Sequence, residues 1–104
     1  MDEEVAMYAR VTWLEGSPAQ AREAIAAMRE QAIPAIEAAA GFQEMLFLVD
    51  REGGRALALT LWETLEDLEG SEELARHLRS LPLARWAASG AERFELALRV
   101  RAGG

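Results

Sequence analysis

The chain contains no cysteine, no lysine and no asparagine. The missing thiol excludes disulfides, thiolate metal sites and a cysteine nucleophile; the missing ε-amine excludes a lysine Schiff base. All eleven basic residues are arginine, set against 18 acidic ones, for a formal net charge of -7. With no clustered basic patch, nucleic-acid binding is disfavoured, and an anionic membrane surface repels the chain. One histidine and scattered acids give no recognisable ligand spacing, so no metal and no cofactor are expected. No apolar run approaches membrane-spanning length, and Met1-Asp2-Glu3-Glu4 lacks the basic and apolar regions of a signal peptide. A cytoplasmic protein is expected.

What is present is apolar surface. A length of 104 residues fits one domain over 1–104, with an ordered core at about 5–100. A domain of this size buries only roughly 60–65% of its unfolded surface. Its hydrophobic content of 51% therefore leaves apolar area that a second copy can cover.

Val5 to Leu14 reads as a strand that Glu15-Gly16 breaks. Val5, Met7, Ala9, Val11 and Trp13 fall on one face; Ala6, Tyr8, Arg10, Thr12 and Leu14 fall on the other. Ser17-Pro18-Ala19-Gln20 predicts a capped helix start, with the Ser17 side chain accepting from the Gln20 amide. The apolar stripe then predicts a helix to about Ala40, kinked at Pro34 and closed by Gly41. Phe42 to Asp50 is a second strand. Asp50-Arg51-Glu52-Gly53-Gly54 is a hairpin turn, and Arg55 to Glu63 is a third strand. Thr64 starts a short helix, Gly70 breaks it, and Ser71 caps a second segment running to about Ser80. Leu83 to Ala88 reads as a further turn, Ala91 to Val100 as the last strand, and Arg101 to Gly104 as a frayed end.

The order β-α-β-β-α-β is the split βαβ pattern. It predicts an α+β, ferredoxin-like domain with both helices on one face of an antiparallel sheet. The other face carries a contiguous apolar patch, which predicts a homodimer closed about a two-fold axis.

Gly41-Phe42 opening the second strand, Leu59-Thr60-Leu61-Trp62-Glu63 leading into the second helical region, and the closing Leu98-Arg99-Val100 carry a family resemblance. On these residues the chain resembles the antibiotic-biosynthesis-monooxygenase-like (ABM) family of dimeric α+β barrels. The resemblance implies a homodimer with a small-ligand pocket between helices and sheet. It also implies, as one activity, cofactor-independent oxygenation of an aromatic or enolic compound. Haem-degrading relatives use a first-strand asparagine and a helical tryptophan and histidine. Here the first-strand match falls near Ala9 or Arg10, and Trp62 matches the end-of-strand tryptophan instead.

Six side chains are candidates. His77 is the sole imidazole and a candidate general base, against a plain role as a surface residue of its helix. Arg10 is a candidate for stabilising a substrate anion, or else pairs with Glu95. Trp62, Tyr8 and Thr60 are candidates for holding a ring, against packing in the core. Trp86 is a lid or a core residue. Trp13 and Met28 read as packing residues, and Glu72-Glu73 as favourable charge at a helix start. The leading alternative to an enzyme is a non-catalytic small-ligand-binding or structural dimer; haem binding is a third.

Overall fold

The computed structural model describes residues 4–83 and 85–103, with side chains from Met7 onward. The expected faces of Val5 and Ala6 and the end at Gly104 lie outside what is described. Four strands form one antiparallel sheet in the order β2-β3-β1-β4: β1 Glu4–Gly16, β2 Phe42–Asp50, β3 Arg55–Trp62 and β4 Trp86–Leu98. Helices α1 Ala21–Ala27, α2 Ile33–Glu37, α3 Leu65–Gly70 and α4 Glu72–Arg79 complete the domain. This is the ferredoxin-like α+β architecture. Among the described residues no helix is long and apolar enough to cross a membrane.

Alternation sorts β3 into two faces. Ala56, Ala58, Thr60 and Trp62 are all buried toward the helices, whereas Leu57 and Leu59 stay half-covered on the other side. Small residues at 56 and 58 leave room for Met28, Ala32 and Ile36 to approach the sheet. The opposite face is open. Trp13, Leu46, Leu48 and Phe94 remain 44%, 47%, 57% and 49% exposed, so within the single chain Trp13 does not pack in the core as its type suggests.

The first helical region departs from its expected form. Between α1 and α2 lies a π-helical stretch, Met28–Ala32, where the Ile33 amide donates to the Met28 carbonyl five residues back. Pro34 lacks an amide hydrogen, so the i→i+4 ladder cannot continue through it, and the shifted bonding absorbs the defect one turn earlier. The helix ends at Glu37 rather than Ala40, and Gly41 takes φ +78°. At the other end, the Ser17 side chain makes no cap. A 3₁₀ turn over Pro18–Gln20 replaces it, and the Ser17 carbonyl accepts the Gln20 amide at 3.0 Å.

Two boundaries in β1 and β4 also differ. Glu15 and Gly16 do not break β1; they pair with Ala87 and Trp86. The expected turn over Leu83–Ala88 is a single bridge between Leu83 and Trp86, from which β4 starts directly. Thr64 caps α3 as expected, its hydroxyl accepting from the Asp67 amide at 3.0 Å.

Candidate functional site

The helix-facing side of β1 places Arg10, Thr12 and Leu14 beneath α4, with Ala58, Thr60 and Trp62 of β3 alongside them. Met28, Ala32 and Ile36 come down from the kinked helical region, Met45 enters from β2, and Ser71, Leu74, Ala75, Leu78 and Arg79 close the top. They enclose a mostly apolar cavity of about 60 Å³. That is well under the roughly 150 Å³ of an engineered cavity that takes benzene. Met28 and Met45 are its adaptable walls, since unbranched thioethers change rotamer with little strain.

Arg10 is the feature that sets the chemistry. It is the one charged residue classed as buried among the described residues, at 5% exposure. A guanidinium in such a place must be paired and hydrogen-bonded. Its Nη1 donates to Glu72 Oε2 at 2.6 Å; its Nη2 donates to the Leu68 carbonyl at 2.9 Å and to Ser71 Oγ at 3.0 Å. Ser71 Oγ in turn donates to the Leu68 carbonyl at 2.7 Å. Ser71 was expected to cap α4 with its side chain and does not. The arginine recruits the hydroxyl, and only the Ser71 carbonyl serves the helix, accepting the Ala75 amide at 2.8 Å.

Glu72 bridges two guanidiniums, because Arg79 Nη2 also lies 3.5 Å from its Oε1. Chiefly the hydrogen bond from Arg10 holds the Glu72 carboxyl below the usual carboxylate range, against the opposing effect of burial. The expected partner of Arg10, Glu95, stands opposite Tyr8 on β4 and is exposed. Arg99 pairs with Glu44 at 2.9 Å.

Of the six sequence candidates, the structure brings three together. Arg10, Thr60 and Trp62 line the cavity. The Trp62 indole donates to Thr60 Oγ1 at 3.0 Å and meets Phe42 edge-on at 5.9 Å between centroids. Tyr8 sits opposite Trp62 in the sheet but outside the cavity wall. His77 is exposed on α4 and does not line the cavity. Trp86 is buried in the core beyond the cavity, its indole donating to the Ser17 carbonyl at 2.9 Å.

The residues missed were Ser71, Glu72 and Arg79. Glu72 and Arg79 are seven residues apart, two helical turns, which places them on one face of α4. That spacing was legible; their meeting with Arg10 was not. Among the described residues no group of three potential metal ligands occurs.

No family model matches the chain. In sequence it is 34% identical to the uncharacterized protein Rv2558 of Mycobacterium tuberculosis over 93 residues, 88% of this chain and 39% of that protein. The chain thus spans well under half the length of that curated relative. In structure it is similar to MhuD of Mycobacterium tuberculosis, a heme-degrader solved with two hemes bound in its active site. That match has a TM-score of 0.63 and 22% identity, and it covers 92% of this chain and 99% of the other. It is also similar to SnoaB of Streptomyces nogalater, a cofactor-independent oxygenase, with a TM-score of 0.59, 16% identity, and coverage of 96% and 100%.

Proposed function

We propose that this chain, which has the fold of the ABM-like proteins, is a cytoplasmic oxygenase that uses no bound cofactor. Its substrate is a small aromatic or enolic compound held between helices and sheet, and the cavity of about 60 Å³ widens to admit it. The observation that carries this reading is the buried guanidinium of Arg10 in the wall of an otherwise apolar cavity. Such a group stabilises negative charge on a substrate oxygen far better in a dry cavity than it does in water.

The reaction divides between substrate and protein. An acidic C–H or O–H of the substrate ionises under the influence of Arg10, and its proton leaves to solvent. The resulting carbanion reduces dioxygen and forms a C–O bond. The peroxide takes up a proton and loses water, leaving a carbonyl. In sum, a methylene carbon loses two hydrogens and gains one oxygen atom, and the other oxygen atom departs as water. Trp62 acts as an apolar wall, since its N–H is already held by Thr60.

Haem does not fit this site. The one histidine is exposed away from the cavity, so no imidazole stands where it could hold a haem iron there. A second reading, a non-catalytic small-ligand-binding protein, is favoured by one observation. Among the described residues lining the cavity, Arg10 and Arg79 are the titratable ones, and neither is a base at neutral pH.

Oxygen uptake separates the two readings. Anthrones and quinols incubated with the protein under air are expected to give product at a rate above the protein-free control, and under argon to give none. Ala58→Leu, which fills the cavity, is expected to lower that rate at least tenfold. Rates equal to the control across the whole panel leave the binding protein.

The same proposal includes a homodimer, in which a second copy covers Trp13, Leu46, Leu48 and Phe94. Sedimentation is expected to give twice the chain mass of 11.4 kDa. Leu46→Asp with Phe94→Asp is expected to give a folded single chain, because a desolvated carboxylate on each side opposes closure. A parent protein that sediments as one chain at micromolar concentration overturns this part.

A further inference from the structure

We propose that the cavity takes its ligand as a carboxylate, a small organic acid whose apolar body lies among Met28, Ile36, Met45 and Leu78 and whose charged end is received by Arg10 and Arg79. This rests on the cavity proposed above as the active site and names the class of compound it selects.

The charge count at the cavity does not balance. Two guanidiniums, both permanently charged, share one carboxylate, that of Glu72. Arg10 holds it at 2.6 Å, whereas Arg79 reaches it only at 3.5 Å, and the Glu72 side chain is 43% exposed. One positive charge is left over at the edge of an apolar space. It stands out in a chain whose net charge is -7.

Unused donors point the same way. Arg10 Nε and Arg79 Nη1 are both buried and have no hydrogen-bond partner among the described residues. Arg10 gives three of its five N–H groups to Glu72, the Leu68 carbonyl and Ser71. A buried N–H on a charged group that meets no protein acceptor is among the costliest polar groups to leave unpaired. A carboxylate supplies both an acceptor for such nitrogens and the missing negative charge. Both nitrogens are inaccessible to solvent, so a ligand reaches them only as side chains of the lining, the methionines first, shift.

The lining also decides what kind of anion fits. Its surface is mostly aliphatic and thioether, with the hydroxyls of Thr12, Thr60 and Ser71 along one side, and it pairs better with the apolar body of an organic acid than with the oxygens of sulfate or phosphate. The absence of a base among the lining residues agrees, since a ligand that arrives already ionised needs none.

The test is an equilibrium titration of the unmodified protein, under argon, with benzoate, its neutral isostere benzamide, acetate and sulfate. Benzoate is expected to bind about tenfold or more tighter than benzamide, with acetate weaker than benzoate and sulfate weaker than acetate. Arg79→Gln, on the more open side of the site, is expected to bring benzoate within about twofold of benzamide. Glu72→Gln removes the competing carboxylate and is expected to tighten benzoate. Equal binding of benzamide and benzoate, stronger binding of sulfate, or no saturable binding of either carboxylate overturns the proposal. None of these ligands is oxidised, so a selective benzoate site without oxygen uptake sinks the oxygenase alone. Oxygen uptake with neutral quinols, alongside equal benzoate and benzamide binding, sinks only the acid.

Discussion

Trp62→Ala is expected to lower the stability of the folded protein by about 3–5 kcal/mol, the range for truncating a fully buried large aromatic. Trp62 is 2% exposed at the end of β3. Three separate losses follow from its removal. The cavity left between sheet and helices forfeits dispersion contacts on every side. Phe42, which meets the indole edge-on at 5.9 Å, loses its aromatic neighbour at the start of β2. Thr60 keeps a hydroxyl in a buried position with its donor gone. Trp62→Phe retains a ring against Phe42 and is expected to cost roughly 1–2 kcal/mol, because only part of the volume is removed. Urea unfolding of the three proteins measures this. An alanine variant within about 1 kcal/mol of the parent would show that the ring is not part of the core.

This residue also shows how far the sequence could be read. Leu57, Leu59 and Leu61 alternate with Ala56, Ala58, Thr60 and Trp62, and a strand has a period of two, so the faces of β3 follow from the letters alone. The same reasoning delivers the order of elements and the open apolar face. It fails at Trp86–Gly90, where Ala87, Ala88, Ser89 and Gly90 carry no strand preference of their own. Pairing with the far end of β1 holds them in the ladder, and that is a tertiary cause.

The site was legible in type and not in partnership. Arg10, Thr60 and Trp62 could be placed on the helix-facing side by alternation, and they meet there. The partners of Arg10 lie 58 to 62 residues away, and no local rule reports a contact at that distance. Ser71 has the chemistry of a helix cap, but a buried guanidinium with one ion pair offers its hydroxyl a better use. His77 is the chain's one imidazole, but its position on α4 keeps it from the cavity. Leu74, Ala75, Leu78 and Arg79 define the cavity side of α4, and residue 77 falls one step beyond the edge of that stripe.

Gly54→Ala is expected to destabilise the protein by roughly 2–5 kcal/mol, combining a left-handed backbone penalty of about 1–2 kcal/mol with a steric term of about 1–3 kcal/mol. Gly54 closes the hairpin between β2 and β3 with φ +65° and is buried. A Cβ built there collides with the Gly16 carbonyl oxygen and lies 3.2 Å from Pro18 Cδ. Neither neighbour can rotate away. Gly16 is held by its own amide, which donates to the Gly54 carbonyl at 2.8 Å, and by its pairing with Trp86 at the start of β4. The end of β1, the hairpin and the entry to β4 therefore meet at this point, and strain in one is passed to all three. Gly53 is the internal control. It is exposed and has no positive φ, and the atoms a Cβ would meet belong to the Asp50 side chain, whose ion pair with Arg55 is on the surface. Gly53→Ala is expected to cost less than about 1 kcal/mol, since an exposed ion pair contributes little. Thermal and urea unfolding of both variants give the comparison. Equal losses at 53 and 54 would mean that the hairpin deforms independently of β1 and β4, and that the three-way junction does not hold the sheet together.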